Sequence, residues 1–413
     1  MVARTVRVQA LQRHQEILLT NALTKLLSLP EQEKRTGGLL FTPREIFQQP
    51  ATWEQSLEEF LRVQPQLSRF LEGAGISQRS EQRPGIVLIG AGTSHYVGRA
   101  LVHLLRKEWQ CDVETIPSTD LLTNFDDLVR PQKSALWVSF SRSGDSPEGV
   151  AVIDTALSRR PDIRHLIITC NKDGTMAHRF RHHPEVFCVL LDEATNDQGV
   201  AMTSSFTNLV IVGQCLAHFR DISKYQETLR DLVALGRRLL ETTADVSAQL
   251  AAERYSKVCF LGTGALNAVA RESALKVLEM SAGKTHAIAD SFLGIRHGPL
   301  SALDDQTLVV CLLSEDPGRR PYEIDLLEEI RNKRLGKKHV VLSVSGDSEL
   351  ERLADQVIQL GSNRISDEYR PPIDVIFGQL LGLFSSLQYG LQPDLPSPNG
   401  AIARVVRSIK IYR

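Results

Sequence analysis

Two copies of one α/β domain, placed behind a helical segment, are predicted by three observations. From about residue 84 short apolar runs alternate with helical patterns, the order of the runs then repeats, and nothing strand-like precedes them. Alternation of this kind gives βαβ units and a parallel sheet, because a parallel crossover needs a helix to carry the chain back.

Residues 1–80 are rich in Gln, Glu, Arg and Leu, and Leu11, Ile17, Leu18, Leu23, Leu26 and Leu27 suit amphipathic helices. At Thr42-Pro43-Arg44-Glu45 the pattern predicts a helix start, with Thr42 as N-cap, Pro43 first in the helix and Glu45 closing a capping box. This segment is expected to be a helical extension on the first α/β domain.

In the first copy the buried strands are Gly85–Gly90, Ala135–Phe140, His165–Thr169 and Val186–Leu191, with a last helix over about 203–220. In the second they are Lys257–Gly262, Thr307–Leu313, His339–Ser343 and Asp355–Leu360. The repeat is literal in places. Ile89-Gly90-Ala91-Gly92 returns as Leu261-Gly262-Thr263-Gly264, and Val210-Ile211-Val212-Gly213-Gln214 as Val375-Ile376-Phe377-Gly378-Gln379. A period this long is domain duplication rather than a solenoid. The expected division is 1–80 extension, 81–236 first domain, 237–396 second domain and 397–413 tail.

Composition narrows the function. Forty-eight Lys and Arg against 49 Asp and Glu leave a net charge of −1, so no overall field draws the chain to nucleic acid or an anionic membrane. The six cysteines are scattered through apolar runs, with no C-x-x-C pair, and read as buried thiols in a reducing compartment. The N-terminal stretch lacks the apolar core of a secretory signal, and no run of 18 apolar residues occurs. A cytoplasmic protein is expected. His178 and His182 are spaced like ligands but enclose Arg179 and Arg181, and no third donor is near in sequence, so no metal is expected.

Four motifs carry chemistry. Gly90-Ala91-Gly92-Thr93-Ser94 leaves a strand and opens a helix, where free N–H groups attract anions. His95 stands where a dinucleotide fingerprint needs its third glycine, which disfavours NAD. A ligand-free tight turn is the alternative. Ser141-Arg142-Ser143-Gly144-Asp145-Ser146, after the second strand found here, offers hydroxyl and N–H donors to one phosphate and can share a crevice with Gly92, Thr93 and Ser94. A capped polar loop is the alternative. The counterpart loop in the second copy, Ser314-Glu315-Asp316-Pro317-Gly318, is acidic. Glu272, Lys276 and Glu279 share a helical face; spacing alone favours a solvated ion-paired surface, but the helix follows a glycine turn, where a glutamate can act as base. His297, between Arg296 and Gly298-Pro299, is either a proton shuttle or an ordinary surface histidine.

In this order the motifs resemble those of tandem SIS (sugar isomerase) proteins, and are similar to the isomerase half of glucosamine-6-phosphate synthase. The N-terminal Phe41-Thr42-Pro43-Arg44-Glu45-Ile46, Gln48-Gln49-Pro50 and Trp53, with the tail Asp394-Leu395-Pro396-Ser397-Pro398-Asn399-Gly400, resemble the AgaS-type branch of galactosamine catabolism. The resemblance implies two flavodoxin-like domains, a hexose 6-phosphate or amino-hexose 6-phosphate as substrate, no cofactor, and a homodimer or larger assembly with shared active sites. It implies phosphate contacts from Ser94, Ser141, Ser143 and Ser146, with Thr93 in the same loop, and a backbone contact to the sugar from Val200. Glu279 is implied as the base between C1 and C2 and His297 as the ring-opening group from a neighbouring subunit, with Glu272 and Lys276 as supporting groups. Arg404 stands where the synthase branch has a functional lysine, and an arginine forms no Schiff base. The implied reaction is deamination with isomerisation; plain aldose–ketose isomerisation and a non-catalytic sugar-phosphate regulator are the alternatives.

Overall fold

Ten strands build two separate five-stranded sheets, each wholly parallel, in the computed structural model, which describes residues 20–76, 83–129, 135–346, 348–361, 365–406 and 409–412. The extension contributes α1 (Ala22–Ser28), α2 (Glu31–Gly37) and the 32-residue α3 (Thr42–Gly73). Leu11, Ile17 and Leu18 lie outside the described residues.

The first half runs β1 (Gly85–Gly90), α4 (Thr93–Trp109), β2 (Asp112–Pro117), α5 (Ser118–Thr123), α6 (Phe125–Leu128), β3 (Ala135–Ser141), α7 (Pro147–Arg159), β4 (Ile163–Thr169), α8 (Thr175–Phe180), β5 (Val186–Leu190) and α9 (Ser204–Ala217). A 30-residue helix, α10 (Ser223–Ala252), crosses position 236, where the sequence suggests a boundary. The second half runs β6 (Lys257–Gly262), α11 (Ala265–Met280), β7 (His286–Asp290), β8 (Thr307–Leu312), α12 (Arg320–Asn332), β9 (Lys338–Ser343), α13 (Ser348–Leu353), β10 (Gln356–Gln359) and α14 (Pro371–Gln388).

Strand order is β2-β1-β3-β4-β5 in one sheet and β10-β9-β8-β6-β7 in the other. Counted from the start of each half, both are the flavodoxin-like order 2-1-3-4-5. Two strands, β2 and β7, have no apolar run in the sequence. Each is an edge strand beside the first strand of its half and is largely half-exposed, so it carries polar residues such as Asp112, Glu114, His286 and Asp290. The serine loop therefore follows the third strand of its half, not the second.

One continuous apolar core joins everything on the inner side. It runs from Leu23 and Trp53 in the extension through Leu101 and Phe206 to Val269 and Phe377 in the second half. Separate clusters lie under α7, α8 and α12 on the outer faces. The extension is locked by polar contacts as well. Trp53 Nε1 donates to Thr207 Oγ1 at 2.9 Å, and Gln49 Nε2 donates to Gln379 Oε1 at 2.7 Å, so α3 holds α9 and α14 together.

The start of α3 differs from expectation. Thr42 is the first helical residue, its hydroxyl is buried without a partner, and Glu45 does not fold back onto it. The free N–H groups are capped by Asp394 instead, whose carboxylate accepts from Phe41 N and from Thr42 N at 2.7 Å. A residue more than 350 positions away thus closes the helix end. All six cysteines are free, five of them buried.

Candidate active site

The β1 and β3 strands are neighbours whose connections leave in opposite directions, which opens a crevice at their carboxyl ends. A cavity of about 150 Å³ lies there, and Ser94, Ser141, Ser143 and Ser146 all line it, with Ser118, Gly149, Met176 and Met202. Two helices, α4 and α7, begin at its edge. The first turn of α4 is possible because Gly90 carries no side chain: a Cβ there would stand 2.4 Å from the Ser94 carbonyl group. Gly92 adopts φ +55°, and its repeat Gly264 adopts φ +61° with the same ψ.

The serine loop is shaped by its own hydroxyls. Ser141 Oγ accepts from Gly144 N at 2.9 Å and Ser143 Oγ accepts from Asp145 N at 3.1 Å. Each hydroxyl is used as an acceptor, so its O–H remains to donate. Hydroxyl donors at two helix N-termini make a site suited to a phosphate monoester.

The cavity wall continues into a segment held from three directions. Arg142, 6% exposed, donates to the carbonyls of Gly199 and Val200 at 3.1 Å each and to the Arg404 carbonyl. Arg404, with Val405 and Val406, lines the cavity and donates to Asp197 O at 2.7 Å and Asn196 Oδ1 at 2.6 Å. Glu45, from α3, accepts from Gln198 N at 2.5 Å and Gly199 N at 3.3 Å. Burial, then the charge of Asp197, pushes Glu45 up to about 8. Asp197 is fully buried and is itself raised by that burial, while its Oδ2 accepts from Thr203 N, Ser205 N and Ser205 Oγ. Val200 is placed by these contacts; its N–H donates to Asp394 O at 3.1 Å.

In the second half, the face carrying Glu272, Lys276 and Glu279 is not solvated. Glu272 and Lys276 are fully buried where α11 packs on α4, and the Glu279 side chain is 25% exposed. Lys276 Nζ lies 2.7 Å from Glu279 Oε2 and 3.3 Å from Glu272 Oε1. Thr93 joins them from the first half, donating through Oγ1 to Glu272 Oε1 at 3.2 Å and accepting from Lys276 Nζ at 3.1 Å. Burial lifts Glu272 to about 7, Lys276 opposing and Glu279 adding. Burial also works against the Lys276 ammonium, but the two glutamates outweigh it and hold the group above its ordinary value.

The cavity and this triad are therefore adjacent, linked by consecutive residues: Ser94 lines the one and Thr93 binds the other. Thr93, Val200, Glu272, Lys276 and Glu279 lie outside the cavity wall itself. His297 ends a short 3-10 turn, Gly294–His297, and is exposed. Arg296 beside it anchors that turn to Asp325 and Glu329 of α12, each at 2.7 Å.

A family model for the SIS domain matches residues 80–219 and 251–382, one copy on each sheet. The chain belongs to the SIS domain family. The D-galactosamine-6-phosphate deaminase AgaS of Escherichia coli is 35% identical over 373 residues, which is 90% of this chain and 95% of that protein. The D-galactosamine-6-phosphate deaminase AgaS of Shewanella sp. is 32% identical over 391 residues, 94% and 95% of the two chains. Among solved structures, the tagatose-6-phosphate ketose/aldose isomerase from Escherichia coli superposes with TM-score 0.81 at 33% identity, over 90% of this chain and 96% of that one.

The two SIS halves thus offer different chemistry. The first presents donors to an anion, and the second presents a carboxylate held beside an ammonium, the pairing needed to move a proton. Arg142, Glu45, Asp197 and Asp394 have no local sequence signal that marks them as site residues. Only their burial against one another distinguishes them, and that depends on the fold.

Proposed function

We propose that the chain catalyses deaminating isomerisation of an amino-hexose 6-phosphate, galactosamine 6-phosphate giving tagatose 6-phosphate and ammonia. The observation that carries this reading is the link from the cavity through Thr93 to Lys276 and Glu279, which sets a phosphate anchor beside a base. The names of the full-length relatives supply the sugar.

The phosphate sits among Ser94, Ser141, Ser143 and Ser146, at the turn formed by Gly92, and the sugar extends over Thr93. Arg404 closes the cavity from the tail. His297, brought by a second copy of the chain, moves a proton from O1 to O5 and opens the ring. Glu279 takes the C2 proton, and the electron pair forms an enolamine whose O1 is protonated. Return of a proton to C1 leaves an imine at C2, which water hydrolyses to the ketone and ammonia. Lys276 holds the Glu279 carboxylate in place, and Glu272 balances the lysine. The steps need no cofactor, and the working form is a cytoplasmic homo-oligomer.

A plain aldose–ketose isomerisation uses the same two residues on a 2-hydroxy sugar, and the name of the Escherichia coli structure favours that as the second reading. Ammonia release from galactosamine 6-phosphate, measured beside glucosamine 6-phosphate, separates the two. Release from the first at a higher kcat/KM supports deamination. Ketose formation from a hexose 6-phosphate with no ammonia from either amino sugar supports the second reading, and no turnover of any of them removes both.

A further inference from the structure

The internal repeat pairs the two crevices position by position. Val210–Gln214 in α9 returns 165 residues later as Val375–Gln379 in α14, so Met202, just ahead of α9, corresponds to Asp367, just ahead of α14. Helices α7 and α12 each open on a proline, Pro147 and Pro321, and two residues further on Gly149 corresponds to Glu323. Met202 and Gly149 both line the cavity of the first half. Their counterparts are acids, 2% and 1% exposed.

Both acids are seated on the donors of the loop after β8. Glu323 Oε2 accepts from Ser314 N at 2.7 Å, and the same carboxylate is hydrogen-bonded to Thr263 in the glycine turn after β6. Asp367 accepts from the Ser314 hydroxyl, from Glu315 N at 3.2 Å, from Arg319 Nη1 at 3.2 Å and from Arg370 Nη1 at 3.1 Å. Ser314 Oγ in turn accepts from Asp316 N at 3.0 Å, the same two-residue turn that Ser143 makes with Asp145. A glycine turn and a serine loop converge here as they do in the first half, but carboxylates lie between them.

We infer that the second crevice is an anion site of the same kind, filled from within, where the carboxylates of Glu323 and Asp367 take the place that a phosphate takes in the first half. This rests on the reading of the first-half cavity as a phosphate site. The native chain then holds one sugar phosphate although it carries two copies of the fold. Two carboxylates carry the charge of one phosphate dianion. Removing both leaves Arg319, Arg370 and the loop donors facing a space two negative charges short, and the ligand class it takes is inorganic phosphate or a phosphate monoester.

The test is a Glu323→Gly/Asp367→Met variant of the full chain, which gives the second crevice the residues of the first. Thermal unfolding is followed in inorganic phosphate and in chloride at equal ionic strength. The variant is expected to gain about 2 °C or more from phosphate beyond the gain of the parent. It should keep that surplus when Ser141→Ala and Ser143→Ala are added. A folded variant that responds to phosphate as the parent does overturns the inference. If the double variant does not fold in chloride, the isosteric Glu323→Gln variant is measured in the same way. A surplus response supports the inference and an unchanged one overturns it. Failure of the first-half reading shows elsewhere, in a parent whose phosphate response is unaltered by Ser141→Ala/Ser143→Ala.

Discussion

Thr93 Oγ1, in the first SIS half, donates to Glu272 Oε1 in the second at 3.2 Å and is 3.1 Å from Lys276 Nζ. A single hydroxyl therefore satisfies both members of a buried ion pair across the domain boundary. Thr93→Val keeps the shape and removes both contacts. It is expected to cost about 1–3 kcal/mol, the range for leaving a buried polar partner unmatched. Urea unfolding should show a lower midpoint at unchanged slope. Ser94→Ala, one residue on but facing the cavity, should instead weaken sugar-phosphate binding with little loss of stability. Equal effects from both variants would mean that Thr93 does not divide the two functions.

The burial of Glu272 has a pH signature. A carboxyl group raised to about 7 in the folded chain, from an ordinary 4.5, holds its proton more tightly folded than unfolded. The stability this contributes is complete below about pH 4.5 and is lost as pH climbs through about 7. Glu45, raised to about 8, and Asp374, raised to about 6, act in the same sense, so the measurement must be a difference. Unfolding free energy should fall less steeply between pH 4.5 and 7 in Glu272→Gln than in the parent. Identical slopes would remove Glu272 from the account.

If Glu279 is the base, Glu279→Gln should lower kcat by about 10²–10⁴-fold, the usual worth of general acid–base catalysis, while calorimetry still detects sugar-phosphate binding. Near-normal turnover would place the base elsewhere. A second measurement addresses His297, which is exposed and lies outside the cavity wall. Mixing the inactive Glu279→Gln and His297→Ala variants should recover activity, because some sites then pair a good glutamate from one chain with a good histidine from another. No recovery after exchange of subunits would locate His297 in the same chain as its glutamate.

Most of the fold is legible in the sequence because its central strands are apolar on both faces and its repeat preserves letters. The edge strands β2 and β7 are not, since half-exposed strands carry no apolar run. The serines are legible because their loop is local. The cap of α3 is not, and it shows why: Thr42-Pro43-Arg44-Glu45 satisfies every local rule for a capping box, yet Asp394 takes the role from the far end of the chain. Asp394→Ala is expected to cost about 1 kcal/mol, as loss of an N-cap does. Thr42→Val should cost nothing measurable, because its hydroxyl is buried without a partner. Denaturation midpoints in the reverse order would restore the local reading. The triad is ambiguous for a related reason, since helical spacing gives the face that Glu272 and Lys276 share but not whether α4 covers it.

Arg404 stands where the resemblance to the synthase branch implies a lysine, and its contacts say what an arginine does there. Its Nε and Nη2 reach two acceptors in fixed directions, Asp197 O at 2.7 Å and Asn196 Oδ1 at 2.6 Å, while its carbonyl accepts from Arg142. The guanidinium thus fastens the tail to the segment that carries Val200 and Met202, with the cavity between them. A lysine has one nitrogen and cannot make both contacts in that geometry. Arg404→Lys should therefore loosen the tail over the cavity, and losing one charge-assisted hydrogen bond of about 1.5 kcal/mol corresponds to about tenfold weaker substrate binding. If the tail only fastens the cavity, KM rises and kcat stays within about twofold. A collapse of kcat at unchanged KM would instead give the Arg404 side chain a part in the chemistry.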